Sequence, residues 1–204
     1  MNETRATVAI VRRHLDRRFA LDWLAQAAIV AVLAFIFAPG FGSSALVALG
    51  ALAALAVATA VERQHVASLR RVSFFSVPLF GRQLARAHAI APSLAALALP
   101  IGYAIGAAVR GVPIGAERFT VAACVVVIAT LVALSAIFRD GRDRALYVAI
   151  AFGAAFVIAT LTTLPTPHAA RIAAVVAIVI GFLALRAFGE TLARYDPLPE
   201  ETSA

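Results

Sequence analysis

The chain has 204 residues, 62% of them hydrophobic, and its mean hydropathy is +0.92. A water-soluble domain of this size is only about 45–50% apolar, so the composition excludes an ordinary soluble enzyme domain and predicts a membrane protein. The formal net charge of +7 rests on 18 cationic residues, all of them arginine. Most of them lie at the termini and in alternate connections between apolar stretches, which argues against a nucleic-acid-binding surface.

Residues 1–20 are predicted to form an amphipathic helix at the membrane interface. Val8, Val11, Leu15 and Phe19 recur at spacings of three and four, so they share one helical face. Arginines occupy much of the remaining surface, and a basic helix with an apolar stripe suits the lipid headgroup region. An alternative stays open, in which this segment is a cytosolic extension of the first span whose arginines only set topology.

Six apolar stretches follow, each close to the length of about 20 residues that an α-helix needs to cross a bilayer. They are predicted to be helical because backbone groups in lipid must be hydrogen-bonded within their own segment. The fold class is therefore an all-α membrane protein with a six-helix transmembrane domain over residues 21–188. The predicted spans are Leu21–Ala38, Ser44–Val61, His88–Val109, Phe119–Phe138, Ala145–Leu164 and Ile172–Ala187.

The distribution of arginine predicts the orientation of the chain. Fifteen of the 18 arginines lie in the N-terminal segment, the second and fourth connections and the C-terminal region. Cytoplasmic loops carry such an excess, so both termini are predicted to be cytoplasmic in a multi-pass protein of a bacterial inner membrane. The other side carries Arg110, Arg118 and Arg171. Residues 189–204 hold two prolines and four acidic residues and are predicted to form a flexible tail.

Several kinds of chemistry are absent from the spans. No span interior carries Asp, Glu, Arg or Lys, and Asp22 lies at the entry to the first span. Charged residues at membrane depth mark ion and proton pathways, so their absence counts against an ion-coupled carrier. Hydroxyls at Thr160, Thr162 and Thr163 keep that alternative open. The single cysteine, Cys124, and four scattered histidines predict no metal site. No Gly-rich phosphate loop is present, so no cofactor and no enzymatic activity are expected.

The connection over residues 62–87 is the longest and is predicted to lie inside. Proline favours the first turn of a helix, so Pro78 predicts a short helix over Leu79–Ala87 before the third span. The sequence Leu79-Phe80-Gly81-Arg82-Gln83-Leu84 combines apolar and basic groups, as expected of a docking surface. The alternative is a plain inside loop whose arginines only set topology.

This layout resembles the membrane subunits of second-class ATP-binding-cassette exporters. The matching motifs are Glu62-Arg63 at the end of span two, Val77-Pro78-Leu79 as a turn, and Arg82-Gln83-Leu84-Ala85-Arg86 as a short helix. The resemblance implies that this helix docks on a separate ATPase subunit and that two permeases pair around the transport path. The implied docking residues are Pro78, Leu79, Phe80, Gly81, Arg82, Gln83 and Arg86.

The function expected from this resemblance is that of a permease subunit, embedded in the lipid bilayer and driven by a separate ATP-binding subunit. It would form a homodimer or pair with a similar permease. A path poor in charge suits an amphipathic or lipid-like substrate better than a small ion. Two alternatives stay open: a non-transporting structural or assembly subunit of a membrane complex, and an ion-coupled carrier.

Overall fold

The computed structural model describes residues 17–41, 81–112, 114–137 and 168–194, together with isolated positions among residues 8–15 and 146–158. These residues form helices and no strand. Four long helices are present, α1 (Arg17–Phe41), α2 (Gly81–Val109), α3 (Ala116–Ile137) and α4 (Ala169–Arg194). Each is long and apolar enough to cross a bilayer. The prediction of an all-helical chain with several membrane-length helices is therefore confirmed.

Four of the six predicted spans coincide with these helices. The first span lies in α1, the third in α2, the fourth in α3 up to Ile137, and the sixth in α4. The spans predicted over Ser44–Val61 and Ala145–Leu164 lie outside the described residues, apart from isolated helical positions in the latter. Of the predicted interfacial helix, Val8, Ala9 and Arg12 are helical, and residues 17–20 already belong to α1.

Helices α1 and α2 run in the same direction. Ala27 lies against Gly102, and one turn further along both helices Ala31 lies against Gly106. Contacts that advance together along two helices define a parallel pair. The predicted second span, which would return the chain across the bilayer between α1 and α2, requires this arrangement.

Helices α3 and α4 form a second parallel pair. Arg171 and Glu117 are joined by an ion pair near the start of both helices, and further along Gly181 lies against Ile128. The predicted fifth span requires this arrangement too. Helix α3 follows α2 after only six residues, 110–115, and runs back along it.

Helix α2 is the centre of the described bundle. It packs against each of the other three helices. Many of its buried positions are alanine, for example Ala96, Ala98 and Ala107, and small side chains let membrane helices approach closely. In contrast, only 11% of the most apolar part of α1 is buried. Helix α1 therefore lies at the edge of the described bundle, with most of its apolar surface exposed.

A glycine cap ends α2 and turns the chain toward α3. Gly111 has φ of 83°, a left-handed conformation that glycine adopts without steric cost. The Val112 amide donates to the carbonyl oxygen of Ala107 at 2.8 Å, and the Gly111 amide donates to that of Ala108 at 3.0 Å. This is a Schellman motif, which satisfies carbonyl groups left unpaired in the last turn.

The start of α2 differs from the prediction. A short helix over Leu79–Ala87 was expected to be separate from the span that begins at His88, but α2 runs without interruption from Gly81 to Val109. The residues at this junction are mostly Arg, Gln, Leu and Ala, which are strong helix formers, and they contain no glycine or proline that would end a helix. The helix also continues through Pro92 and Pro100, both of which are buried.

The end of α4 also differs from the prediction. The flexible tail was predicted to begin at Gly189, but α4 continues as a helix to Arg194. Phe188 and Leu192, four residues apart, are both buried, so the packed face of the helix extends past the end of the predicted span. Residues 195–204 lie outside the described part of the chain.

Replacing Trp23 with phenylalanine is expected to weaken the α1–α2 contact modestly. The indole Nε1 of Trp23 donates a hydrogen bond to the carbonyl oxygen of Leu94 at 2.8 Å, and phenylalanine has no donor. Such bonds between membrane helices average about 0.6 kcal/mol. The free energy of unfolding, measured by circular dichroism during titration with sodium dodecyl sulfate, should fall by about this amount. A loss several times larger would mean that packing of the ring dominates.

Candidate functional site

The predicted docking residues fall partly within the described structure. Gly81, Arg82, Gln83 and Arg86 lie in the first two turns of α2. The other predicted residues of the docking surface, and the Glu-Arg pair at the end of span two, lie outside the described residues. They are Pro78, Leu79, Phe80, Glu62 and Arg63.

These first turns belong to the same continuous helix as the long apolar part of α2. The helix has 29 residues, which corresponds to a length of about 43 Å. A displacement applied at Arg82 would therefore not be absorbed by a non-helical hinge before His88. Since α2 packs against the other three helices, such a displacement reaches both parallel pairs.

Helices α1 and α2 meet backbone to backbone. A Cβ atom built at Gly102 would overlap the carbonyl oxygen of Ala27, and one built at Gly106 would overlap that of Ala31. Gly102 and Gly106, four residues apart on α2, therefore allow a close approach of the two backbones, with α1 as the partner. This contact couples α1 tightly to α2.

Charged side chains gather at the end of the bundle where α2 ends and α3 and α4 begin. Arg171 Nε lies 3.5 Å from Oε1 of Glu117, and the two side chains are largely exposed. With Arg118 they border a cleft of about 270 Å³. The Arg110 guanidinium lies 5.2 Å from the centre of the Phe35 ring. Exposed pairs of this kind contribute at most about 1 kcal/mol, so these contacts add little to the stability of the bundle.

A larger groove of about 570 Å³ lies between α2, α3 and α4. Its volume is in the range of ligand pockets, about 300–1,000 Å³. Among the residues that line it, only Ser93 and Cys124 bring a hydroxyl or a thiol. Phe182 on one wall is 71% exposed, so the groove is open along that side. All three helices that form the groove are long and apolar enough to cross a bilayer.

The buried hydroxyls of α3 are satisfied within the helix. The Thr130 hydroxyl donates to the carbonyl oxygen of Val126 at 2.9 Å, and the Ser135 hydroxyl donates to that of Leu131 at 2.8 Å. Bonds from serine and threonine to the carbonyl four residues earlier are common in helices. Each of these hydroxyls therefore has its hydrogen-bond partner within α3, and the two do not form a polar binding site.

Two features were not predicted from the sequence. The first is a pair of ion contacts at the two ends of α4, where Arg171 pairs with Glu117 at 3.5 Å and Arg186 pairs with Glu190 at 2.9 Å. The groove was also missed. Arg186 and Glu190 are four residues apart, a spacing that signals a helical ion pair, whereas the groove has no local signal because three helices contribute to it.

Compared with protein-family models, with curated proteins and with solved structures, the chain matches none at a significant level. The assignment of a function therefore rests on the sequence pattern and on the geometry of the four described helices.

Proposed function

We propose that the chain is the permease subunit of an ATP-binding-cassette exporter. It works as a dimer, or paired with a similar permease, in a bacterial inner membrane, and a separate ATP-binding subunit supplies the energy. The observation that carries the proposal is the position of α2. Its first turns hold the residues that match the docking helix of that family, and the rest of the helix packs against α1, α3 and α4.

In this proposal α2 transmits the motion of the ATPase. Closure of two ATP-binding subunits displaces residues 81–86, and the continuous helix carries the displacement across the bilayer. Helix α1 follows as a unit, since the backbones meet at Gly102 and Gly106. The pair α3–α4 is displaced through its own contacts with α2. The transport path between two permeases then opens alternately to the two sides.

The finer topology belongs to the same proposal. The chain has six spans, an N-terminal interfacial helix and both termini in the cytoplasm. The two parallel helix pairs support this topology because a single intervening span in each half requires them. The proposed substrate is amphipathic or lipid-like, because the span interiors carry no charged residue that would bind a small ion.

The test is co-purification of an ATP-binding subunit from the native membrane in mild detergent, with mass spectrometry of the bound proteins. We expect an ATPase with the wild type and none with a Leu79→Asp, Phe80→Asp double variant. The matched control is Ala193→Asp, which adds a carboxylate at an exposed position in the last turn of α4 and should retain the ATPase. Gel filtration of each variant shows whether it is folded.

Two results contradict the proposal in different ways. If the intact wild type brings down no ATP-binding protein, the exporter function is wrong, and a structural subunit or an ion-coupled carrier becomes the better interpretation. If the double variant retains the ATPase as well as Ala193→Asp does, the permease function stands but the docking surface lies elsewhere.

A further inference from the structure

The groove between α2, α3 and α4 continues into two arginines at one end. Ile90, Ser93 and Leu97 line its α2 wall and recur at spacings of three and four. Arg86 and Arg82 lie one and two turns before Ile90 along the same helix. Positions four residues apart share a helical face, so the groove-lining face of α2 carries two cationic positions beyond the end of the groove.

The directions of α3 and α4 show which lining residues lie near those arginines. Both helices run opposite to α2, so Leu131 of α3 and Leu185 of α4 lie toward the start of α2. Cys124 and Ile178 line the opposite end. The groove is thus lined by apolar groups along its length, and basic residues lie only beyond one of its ends. We call the end next to Arg82 and Arg86 the basic end.

The positive charge at the basic end is not cancelled by the neighbouring ion pair. Arg186 follows Leu185 on α4, and its guanidinium pairs with Glu190 at 2.9 Å, so this pair adds no net charge. Of the described helices, α2 therefore brings two further arginine positions, Arg82 and Arg86, to this end on the face that lines the groove.

The length of the groove matches one leaflet of a bilayer. From Ala89 to Leu97 the α2 wall rises by about 12 Å at 1.5 Å per residue. Half of the hydrocarbon core of a membrane measures about 15 Å. With Arg82 and Arg86 at headgroup level, the groove therefore extends from just below the headgroups nearly to the middle of the bilayer.

We propose that this groove binds one acyl chain of an anionic phospholipid of the bilayer, with the lipid phosphate at the Arg82–Arg86 end. An acyl chain in the groove contacts three helices at once, so many small dispersion attractions add up. The phosphate gains charge-assisted hydrogen bonds and the attraction between arginine and anionic headgroups. The exposed side next to Phe182 lets a lipid enter laterally. This site does not depend on the exporter function.

The first test measures retention of lipid by native mass spectrometry. The full-length protein is placed in nanodiscs with equal phosphatidylglycerol and phosphatidylethanolamine, then released into mild detergent. We expect one retained phosphatidylglycerol. A Gly181→Phe variant places a ring in the groove, and it should fold because the nearest atom to a Cβ there is Ile128 Cγ1 at 3.8 Å. Its retention should fall roughly tenfold, or about 1.4 kcal/mol. The matched control, Leu183→Phe, lies on the exposed face of the same helix and should behave as wild type.

The second test concerns the headgroup. An Arg82→Gln, Arg86→Gln double variant should still bind lipid but lose its preference for phosphatidylglycerol over phosphatidylethanolamine. An Arg17→Gln, Arg18→Gln variant removes the same charge from the start of α1, at the same end of the bundle, and should keep the preference. Equal effects of the two double variants would mean a diffuse attraction to anionic lipid and would overturn the proposal.

A photoreactive phosphatidylglycerol with a diazirine in its acyl chain locates the site in the wild type. Crosslinks should map to residues 123–131 of α3 and to the groove side of α4. Crosslinks confined to α1 or to the outer face of α4 would overturn the site, as would equal retention by Gly181→Phe and Leu183→Phe. A dimer mass that replaces the lipid would show that a second copy occupies the groove. If Gly181→Phe does not fold, the crosslinks alone decide.

Discussion

Replacing Gly106 with alanine is expected to lower the stability of the protein, whereas the same replacement at Gly181 is expected to leave it unchanged or slightly raised. A Cβ atom at Gly106 collides with the backbone of Ala31, which cannot rotate away as a side chain can. At Gly181 the nearest atom belongs to the side chain of Ile128 and lies at an ordinary contact distance of 3.8 Å. The two variants therefore differ only in what the added methyl group meets.

The expected sizes follow from two opposing effects. Forcing extra atoms into a packed contact costs about 1–3 kcal/mol, and replacing glycine in a helix gains up to about 1 kcal/mol. Subtracting the full gain from the cost leaves a net loss of up to about 2 kcal/mol for Gly106→Ala. Unfolding by sodium dodecyl sulfate can be followed by the emission of Trp23, the only tryptophan, which is hydrogen-bonded across the α1–α2 contact. Equal stability of the two variants would contradict the close approach of α1 and α2.

A second substitution distinguishes a backbone contact from a side-chain contact. The atoms nearest to a Cβ at Gly106 are the carbonyl oxygen, the carbonyl carbon and the Cα of Ala31. Removing the Ala31 methyl group leaves all three in place, so Ala31→Gly should not rescue Gly106→Ala. Rescue would show that the Ala31 side chain, and not the backbone, limits the approach.

The positions of the described helices could be predicted because hydropathy acts locally. A stretch of about 20 apolar residues identifies a span regardless of what it packs against, and four predicted spans lie in α1 to α4. The ends of the helices were less accurate. The predicted break near Ala87 and the predicted end of the last helix near Gly189 both relied on a change in polarity. A helix continues past such a change when its residues are good helix formers or when its packed face continues.

The partners of each helix could not be predicted. The Gly102–Gly106 spacing indicated a close approach, but small residues at this spacing are common in an alanine-rich chain and do not specify the other helix. The partner, α1, became known only from the position of Ala27 and Ala31. In a membrane the hydrophobic effect gives little preference between partners, so pairing depends on shape in three dimensions.

The groove was unpredictable for a related reason. Its walls consist of residues that would look the same if each faced lipid or an ordinary core, such as Leu97, Val127 and Phe182. A cavity arises where three helices fail to fill the space between them, and no single helix contains that information. The two arginines at its basic end were noted in the sequence only as part of the docking surface, because nothing in the sequence indicates the groove beside them.

Labelling of single cysteines with a membrane-impermeant reagent should show on which side of the membrane each helix end lies, and each position should be either labelled or protected. In a Cys124→Ala background, which removes the only cysteine, a membrane-impermeant maleimide is added to intact cells. Pro39→Cys and Gly115→Cys, both at exposed positions, are expected to be labelled. Ala193→Cys, in the last turn of α4, is expected to be labelled only after the membrane is permeabilised.

The reason for the expected pattern combines charge with helix direction. Cytoplasmic ends carry the excess of arginine, which predicts that the start of α1 lies inside and that its end, with Pro39, lies outside. Because α2 is parallel to α1, its end and the following Gly115 lie on the same side as Pro39. Helix α4 runs opposite to α2, so its last turn is expected to lie inside. If Ala193→Cys alone is labelled in intact cells, the orientation is the reverse of the predicted one, and the packing of the helices is not affected. Labelling of only one of Pro39→Cys and Gly115→Cys would contradict the parallel pair itself, and with it the coupling of α1 to α2 on which the proposed transmission of motion depends.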